Sequence, residues 1–264
     1  MKKLRYIMII ILLFLVCQFI QAADKYVDRG LLYFWDFENG RDFISDVKVN
    51  AQAFIQGKVR WIPPDSSFND SGVIHVHGDK NAGSHMLIPS SKFSRDLDDW
   101  TIDFEFGAGT HAVDHEDHGA DTGQLVDGNV LEWGDLKVSF SRDPEGARWQ
   151  GVIVVEYKGK NKFIKDVRGF DYNYMAIRSE DEGISIWLNS YCTNLLERPR
   201  SSVVGQEMKF GGSGFAGRFD DIKIYDVRLR PWEITQNYWG QRFNVEPKGK
   251  LVTTWGRVKY EVGN

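Results

Sequence analysis

Apolar and polar residues alternate with a period of two along much of this chain. Leu136, Val138 and Phe140 fall on one side of an extended segment, with Lys137 and Ser139 on the other, and Ile184, Ile186 and Leu188 repeat the pattern. That period marks strands with one buried face. Val152-Ile153-Val154-Val155 is instead continuously apolar, which predicts a strand buried on both faces. Runs rich in Val, Ile, Phe, Tyr and Trp, separated by Gly, Asp, Asn, Ser and Pro, predict strands at 30–38, 52–62, 72–77, 84–88, 99–107, 128–133, 136–141, 151–158, 162–167, 171–178, 183–189, 204–210 and 217–227. Gly134-Asp135 suits a tight hairpin turn, and residues 179–182 suit a second one. One short helix is expected over 230–238, with Pro231 near its first turn and Ile234 and Tyr238 on one face. Many strands and almost no helix argue an all-β sandwich or jelly roll.

The chain has 264 residues, and its beginning reads differently from the rest. Lys2, Lys3 and Arg5 precede an apolar run from residue 7 to 17, and Ile20-Gln21-Ala22 suits cleavage. Residues 1–22 are therefore expected to be a signal peptide, with an uncleaved N-terminal anchor as the alternative. The run is shorter than the ~20 residues of a spanning helix, so no membrane span is expected after cleavage. The mature protein is then secreted, either extracellular or periplasmic. Three of the 33 basic residues and none of the 37 acidic ones leave with the leader, so the mature net charge is −7. An acidic exported chain is a poor polyanion binder, which argues against nucleic acid. Cys192 alone remains after cleavage, so no internal disulfide forms, and it is expected to be a small buried side chain.

Two end segments carry a resemblance. Gly30-Leu-Leu-Tyr-Phe-Trp-Asp-Phe-Glu resembles the opening strand of laminin G-like (LamG) domains of the concanavalin A-like lectin/glucanase superfamily. Gly217-Arg-Phe-Asp-Asp-Ile-Lys-Ile-Tyr-Asp-Val-Arg-Leu-Arg-Pro-Trp-Glu-Ile resembles that family's closing strand and helix. Trp100-Thr-Ile-Asp-Phe-Glu-Phe, Tyr172-Asn-Tyr-Met-Ala-Ile-Arg and Trp187-Leu-Asn are similar to intermediate family segments, the last two in degenerate form. The resemblance covers about residues 27–240 and implies a two-sheet antiparallel jelly-roll sandwich over 23–240. Residues 241–264 then form a C-terminal extension. Family members mostly bind glycans or proteins, often with calcium, so carbohydrate or glycoprotein is the implied partner.

Three groups of residues are candidate sites. Asp36, Glu38, Asp220 and Asp221 would converge if the first and last strands are neighbours, offering the oxygens that a structural calcium ion takes. His111, Asp114, His115, Glu116, Asp117, His118 and Asp121 crowd an insertion between two strands. This suits a ligand-binding rim loop within 107–123. Asp103 and Glu105 resemble part of the Glu-x-Asp-x-Glu strand of glucanases, but Thr101 occupies the nucleophile position. The expected function is thus non-catalytic recognition; the alternatives are a glycoside hydrolase or lyase of the same fold and a structural or adhesive surface protein. His75, His77 and His85 are expected to be structural.

Overall fold

The computed structural model describes residues 27–38, 52–63, 72–78, 83–93, 97, 99–109, 127–147, 150–169, 171–189, 191–197 and 203–242. The expected signal peptide, the His- and acid-rich segment 110–126 and the extension beyond 242 lie outside them. The described strands all lie in one compact unit, Asp28–Ile234. A second unit takes in Val27 and residues 235–242, where the Val27 amide donates to Asn237 Oδ1 at 2.8 Å.

The strands are β1 (Leu31–Trp35), β2 (Phe54–Gln56), β3 (Val59–Ile62), β4 (Val73–Val76), β5 (His85–Ile88), β6 (Thr101–Ala108), β7 (Gly128–Trp133) and β8 (Leu136–Arg142). They continue with β9 (Gln150–Tyr157), β10 (Lys160–Arg168), β11 (Asn173–Glu180), β12 (Gly183–Leu188), β13 (Tyr191–Glu197), β14 (Met208–Phe210) and β15 (Gly217–Tyr225). One sheet runs β13-β12-β11-β6-β15-β4-β3, with β1 also paired to β15; the other runs β10-β9-β8-β7-β14-β5-β2. Every pairing is antiparallel. The inward side chains of both sheets form one core, which makes a two-layer antiparallel sandwich. Trp35, Trp100, Trp133, Phe104, Phe140, Phe210 and Phe219 are among its fully buried members. Each such side chain contributes roughly 1.5–3 kcal/mol by leaving water, so burial can hold the domain without a cross-link.

The chain ends meet as the end segments suggest: Tyr33 lies opposite Ile224, Phe34 opposite Lys223 and Trp35 opposite Ile222. The Gly134-Asp135 turn also forms, with Gly134 at φ 57°. Four expectations are corrected. The 52–62 segment is two strands, because Gly57 turns the chain at φ 76° and passes it from one sheet to the other. A strand over 191–197 was not anticipated, and Cys192 lies on it, exposed, because β13 is the outermost strand of its sheet. Val152 and Val154 are half-exposed rather than buried, since only Ile153 and Val155 face the core. Finally, the strand expected over 30–38 ends at Trp35, and Phe37 adopts φ 55°, so Asp36 and Glu38 lie beyond the strand.

Helix α1 (Pro231–Arg242) follows β15 after a short link. Proline fits the first helical position, where no backbone donor is needed. Glu233 Oε2 accepts from the Arg230 amide at 2.6 Å, and its carboxylate takes a forked pair of hydrogen bonds from Arg29 at 2.9 and 2.6 Å. The Arg29 hydrogen bond is the main cause holding the Glu233 carboxyl below its ordinary value, against the opposing effect of burial. A depressed carboxyl stabilises the fold above its unfolded pKa of about 4.5 and loses that contribution as pH falls through the folded value. The melting temperature is therefore expected to fall as pH drops below about 4.5, and less steeply in Glu233→Gln. Equal acid limbs for the two proteins would contradict this assignment. No helix among the described residues is long and apolar enough to cross a membrane.

Candidate functional site

The sheet that contains β6 and β15 turns a polar and aromatic face away from the core. Ile102, Phe104 and Phe106 point into the core, so Thr101, Asp103, Glu105 and Gly107 point out. Pairing extends these positions into rows. One row is Trp187-Ala176-Asp103-Lys223-Phe34, the next Tyr174-Glu105-Asp220, and the third Gly107-Arg218-His75-Arg60.

Much of this outward face is nevertheless buried. Lys223 and Asp103 are fully buried, and Tyr174 and His75 nearly so. The Lys223 ammonium lies 3.6 Å from Asp103 Oδ1 and 3.9 Å from Asp221 Oδ2, and donates to the Asp221 carbonyl at 3.2 Å. The Phe34 ring lies 4.8 Å beneath it. Burial is the largest single influence on Lys223 and pulls its pKa down, but Asp221, Asp103, Glu105 and Asp220 together outweigh it and hold the value above normal. Burial also pushes the Tyr174 phenol well up, and Asp103 adds to the effect. The bulge that lets Asp220, Asp221 and Lys223 gather lies between Asp220 and Lys223, where Asp221 adopts φ 49°.

These contacts locate the acids named from the sequence. Asp220 Oδ1 accepts from the Asp221 amide at 2.7 Å. Asp36 Oδ1 accepts from the Glu38 amide at 3.1 Å, and Glu38 Oε1 from the Gly72 amide at 3.2 Å. Among the described residues no group of three or more His, Cys, Asp or Glu is arranged to hold a metal ion. The cation that this structure sets beside Asp221 is the lysine ammonium. Sequence reasoning missed Lys223, because a lysine within a strand ordinarily reads as solvent-facing. Thr101, at the glucanase nucleophile position, donates to the Val227 carbonyl at 2.9 Å and accepts from the Leu229 amide at 3.0 Å. It ties β6 to the segment leading into α1.

The end of the sandwich from which 110–126 departs is built differently. Gly211, Gly212, Ser213 and Gly214 all have positive φ, and Gly128 lies directly against Gly214 and Phe215. The Gly211 amide donates to Val130 O at 2.9 Å, the Asn129 amide to Gly212 O at 3.0 Å, and the Gly109 amide to Ala216 O at 2.7 Å. Backbone thus packs on backbone around this rim. On one flank, Arg218 stacks 4.8 Å over Tyr172, crossing the space that Gly107 leaves open, and His75 meets His77 edge to face at 4.8 Å. On the other, Asn129 donates to Glu132 and to Ser213 Oγ, the latter at 2.9 Å, and accepts from Ser139 Oγ at 3.1 Å. His111, Asp114, His115, Glu116, Asp117, His118 and Asp121 fall between Gly109 and Asp127 in the sequence and lie outside the described residues.

No protein-family model matches the chain, and no curated protein does. Solved structures do share its fold. The binding domain of botulinum neurotoxin serotype G superposes with a TM-score of 0.54 at 13% identity, over 80% of this chain and 51% of that one. A structure of botulinum neurotoxin type C, which depends on two ganglioside molecules to enter cells, gives 0.54 at 8% identity, over 81% and 51%. Domain 4 of AbnA, a GH43 extracellular arabinanase from Geobacillus stearothermophilus, in complex with arabinotriose, gives 0.52 at 11% identity, over 79% and 98%. The chain spans about half the length of the two toxin chains. At these identities the likeness establishes the jelly-roll sandwich.

Proposed function

We propose that this chain is an exported, non-catalytic LamG-like module that recognises carbohydrate or the glycan of a glycoprotein at the glycine-built rim. The observation that carries the reading is that rim. Closely packed backbone at one end of the sandwich is flanked by hydrogen-bonding side chains on one side and a stacked Arg218–Tyr172 pair on the other. Similar folds that are described with arabinotriose and with gangliosides support the ligand class. The hydrolase alternative fares worse, because Thr101 is engaged with backbone and Asp103 faces Lys223 in a fully buried position. Two carboxyls free to act on one glycosidic bond are what hydrolysis requires.

A glycan array probed with the mature chain, with and without EDTA, tests the reading. Binding to at least one glycan is expected, with no turnover of the bound glycan. Loss of binding in EDTA would assign a role to calcium, and retention would rest recognition on the protein's own groups. A blank array under both conditions sinks the proposal.

A further inference from the structure

The two sheets treat their outward faces differently. In the sheet containing β6 and β15, Asp103, Lys223, Tyr174, Tyr225 and His75 point away from the core yet are almost wholly buried. In the other sheet most outward positions stay open, although Asn129 is buried. Val152, Val154, Ser139 and Ser141 are half-exposed, and Phe163 retains 61% of its surface. Pairing aligns these positions across strands. Phe163, Val154, Ser139 and Asn129 form one row over β10, β9, β8 and β7. The adjacent outward row is Asn161, Glu156, Lys137, Glu132, Lys209, Leu87 and Phe54, which crosses all seven strands. Phe54 is 50% exposed, so both outermost strands, β10 and β2, carry an open phenyl ring.

We infer that this open face is a second recognition surface, on which a neutral oligosaccharide lies across the strands. The inference rests on the carbohydrate reading above and extends it from the rim to the sheet. Charge selects the ligand class: Glu156, Lys137, Glu132 and Lys209 alternate in sign, so the row has no net charge to attract a polyion. Chemistry selects it again. Hydroxyls lie on β8, at Ser139 and Ser141, the Asn161 amide stands on the edge strand β10, and phenyl rings stand at both edges. A sugar offers both hydroxyls and an apolar face that stacks on such rings. Strands about 4.8 Å apart put the two edges roughly 29 Å from each other, so a longer chain meets more of the surface than a short one. Asn129 is held by Glu132, Ser213 and Ser139, which joins the inner end of the first row to the rim.

The test measures binding of neutral oligosaccharides of three and six residues (arabino-, malto- and cello-series) by calorimetry. For the series that binds, affinity is expected to rise with length. Phe163→Ala should weaken the six-residue ligand about three- to tenfold, the worth of one aromatic contact. Val154→Lys should weaken it through the same face, and Glu182→Ala, in the exposed β11–β12 turn of the other sheet, should leave it unchanged. Unaltered melting temperatures would show that the variants fold. Binding that ignores both Phe163→Ala and Val154→Lys overturns the placement while leaving rim recognition standing. A chain that binds no glycan on the array overturns both. A concentration-dependent dimer that Phe163→Ala converts to monomer would overturn the inference by assigning the face to a second copy.

Discussion

Replacing Lys223 with methionine is expected to lower the stability of the domain by about 3–5 kcal/mol, a large share of the total for a domain of this kind. The side chain is 1% exposed and Asp103 beside it 0%, so removal of the ammonium leaves buried carboxylates without their counter-ion. Methionine nearly conserves the volume, so packing contributes little to the loss. Urea unfolding at pH 7 provides the measurement. A loss below about 1 kcal/mol, the value of an exposed pair, would show that the charges are not buried. Adding Asp103→Leu to Lys223→Met should recover part of the loss, and the four-protein cycle gives the coupling directly. The pH dependence has the opposite sense to that of Glu233. Lys223 is held above its unfolded value of about 10.5, so its contribution is complete below that pH and disappears as pH rises through the higher folded value.

The same lysine shows what a sequence conceals. The pairing of the chain ends was legible, because Gly30 to Glu38 and Gly217 to Asp226 resemble a known opening and closing pair. The core was legible from period two, since Leu136, Val138 and Phe140 and Ile184, Ile186 and Leu188 all point inward. Three things were not. Val152 to Val155 reads as doubly buried, because valine favours any strand whichever face is wet. The strand at 191–197 mixes polar and apolar residues, and its register slips opposite Ile186 and Trp187, so period two fails there. The place of Lys223 beside Asp221 is hidden too, because the bulge that brings them together depends on one residue at positive φ, which no local pattern announces. The rim's construction from four successive positive-φ residues emerges only where 211–214 meets Gly128.

That meeting point carries the other large effect. Gly128→Ala is expected to cost about 3 kcal/mol, at the upper end of what inserting one carbon into a packed site costs. Gly128 is not among the positive-φ residues, so the cause is space rather than backbone preference. A Cβ there would overlap the backbone N and Cα of Phe215 and come within 2.7 Å of the Gly214 carbonyl carbon. Backbone cannot rotate aside as a side-chain tip can. Gly159→Ala is the control. Gly159 has φ 73° and nothing within 4 Å of its Cβ position, so only left-handed strain is added, roughly 1–2 kcal/mol. Denaturant unfolding of the two variants separates the terms. Equal losses would mean that 211–214 yields to the new carbon and that the rim is softer than its hydrogen bonds imply. The larger loss at Gly128 should come with weakened glycan binding, because displacement of 211–214 also breaks the Asn129–Ser213 hydrogen bond that fixes one flank of the rim. Gly159→Ala, in the β9–β10 turn, should bind as the parent does.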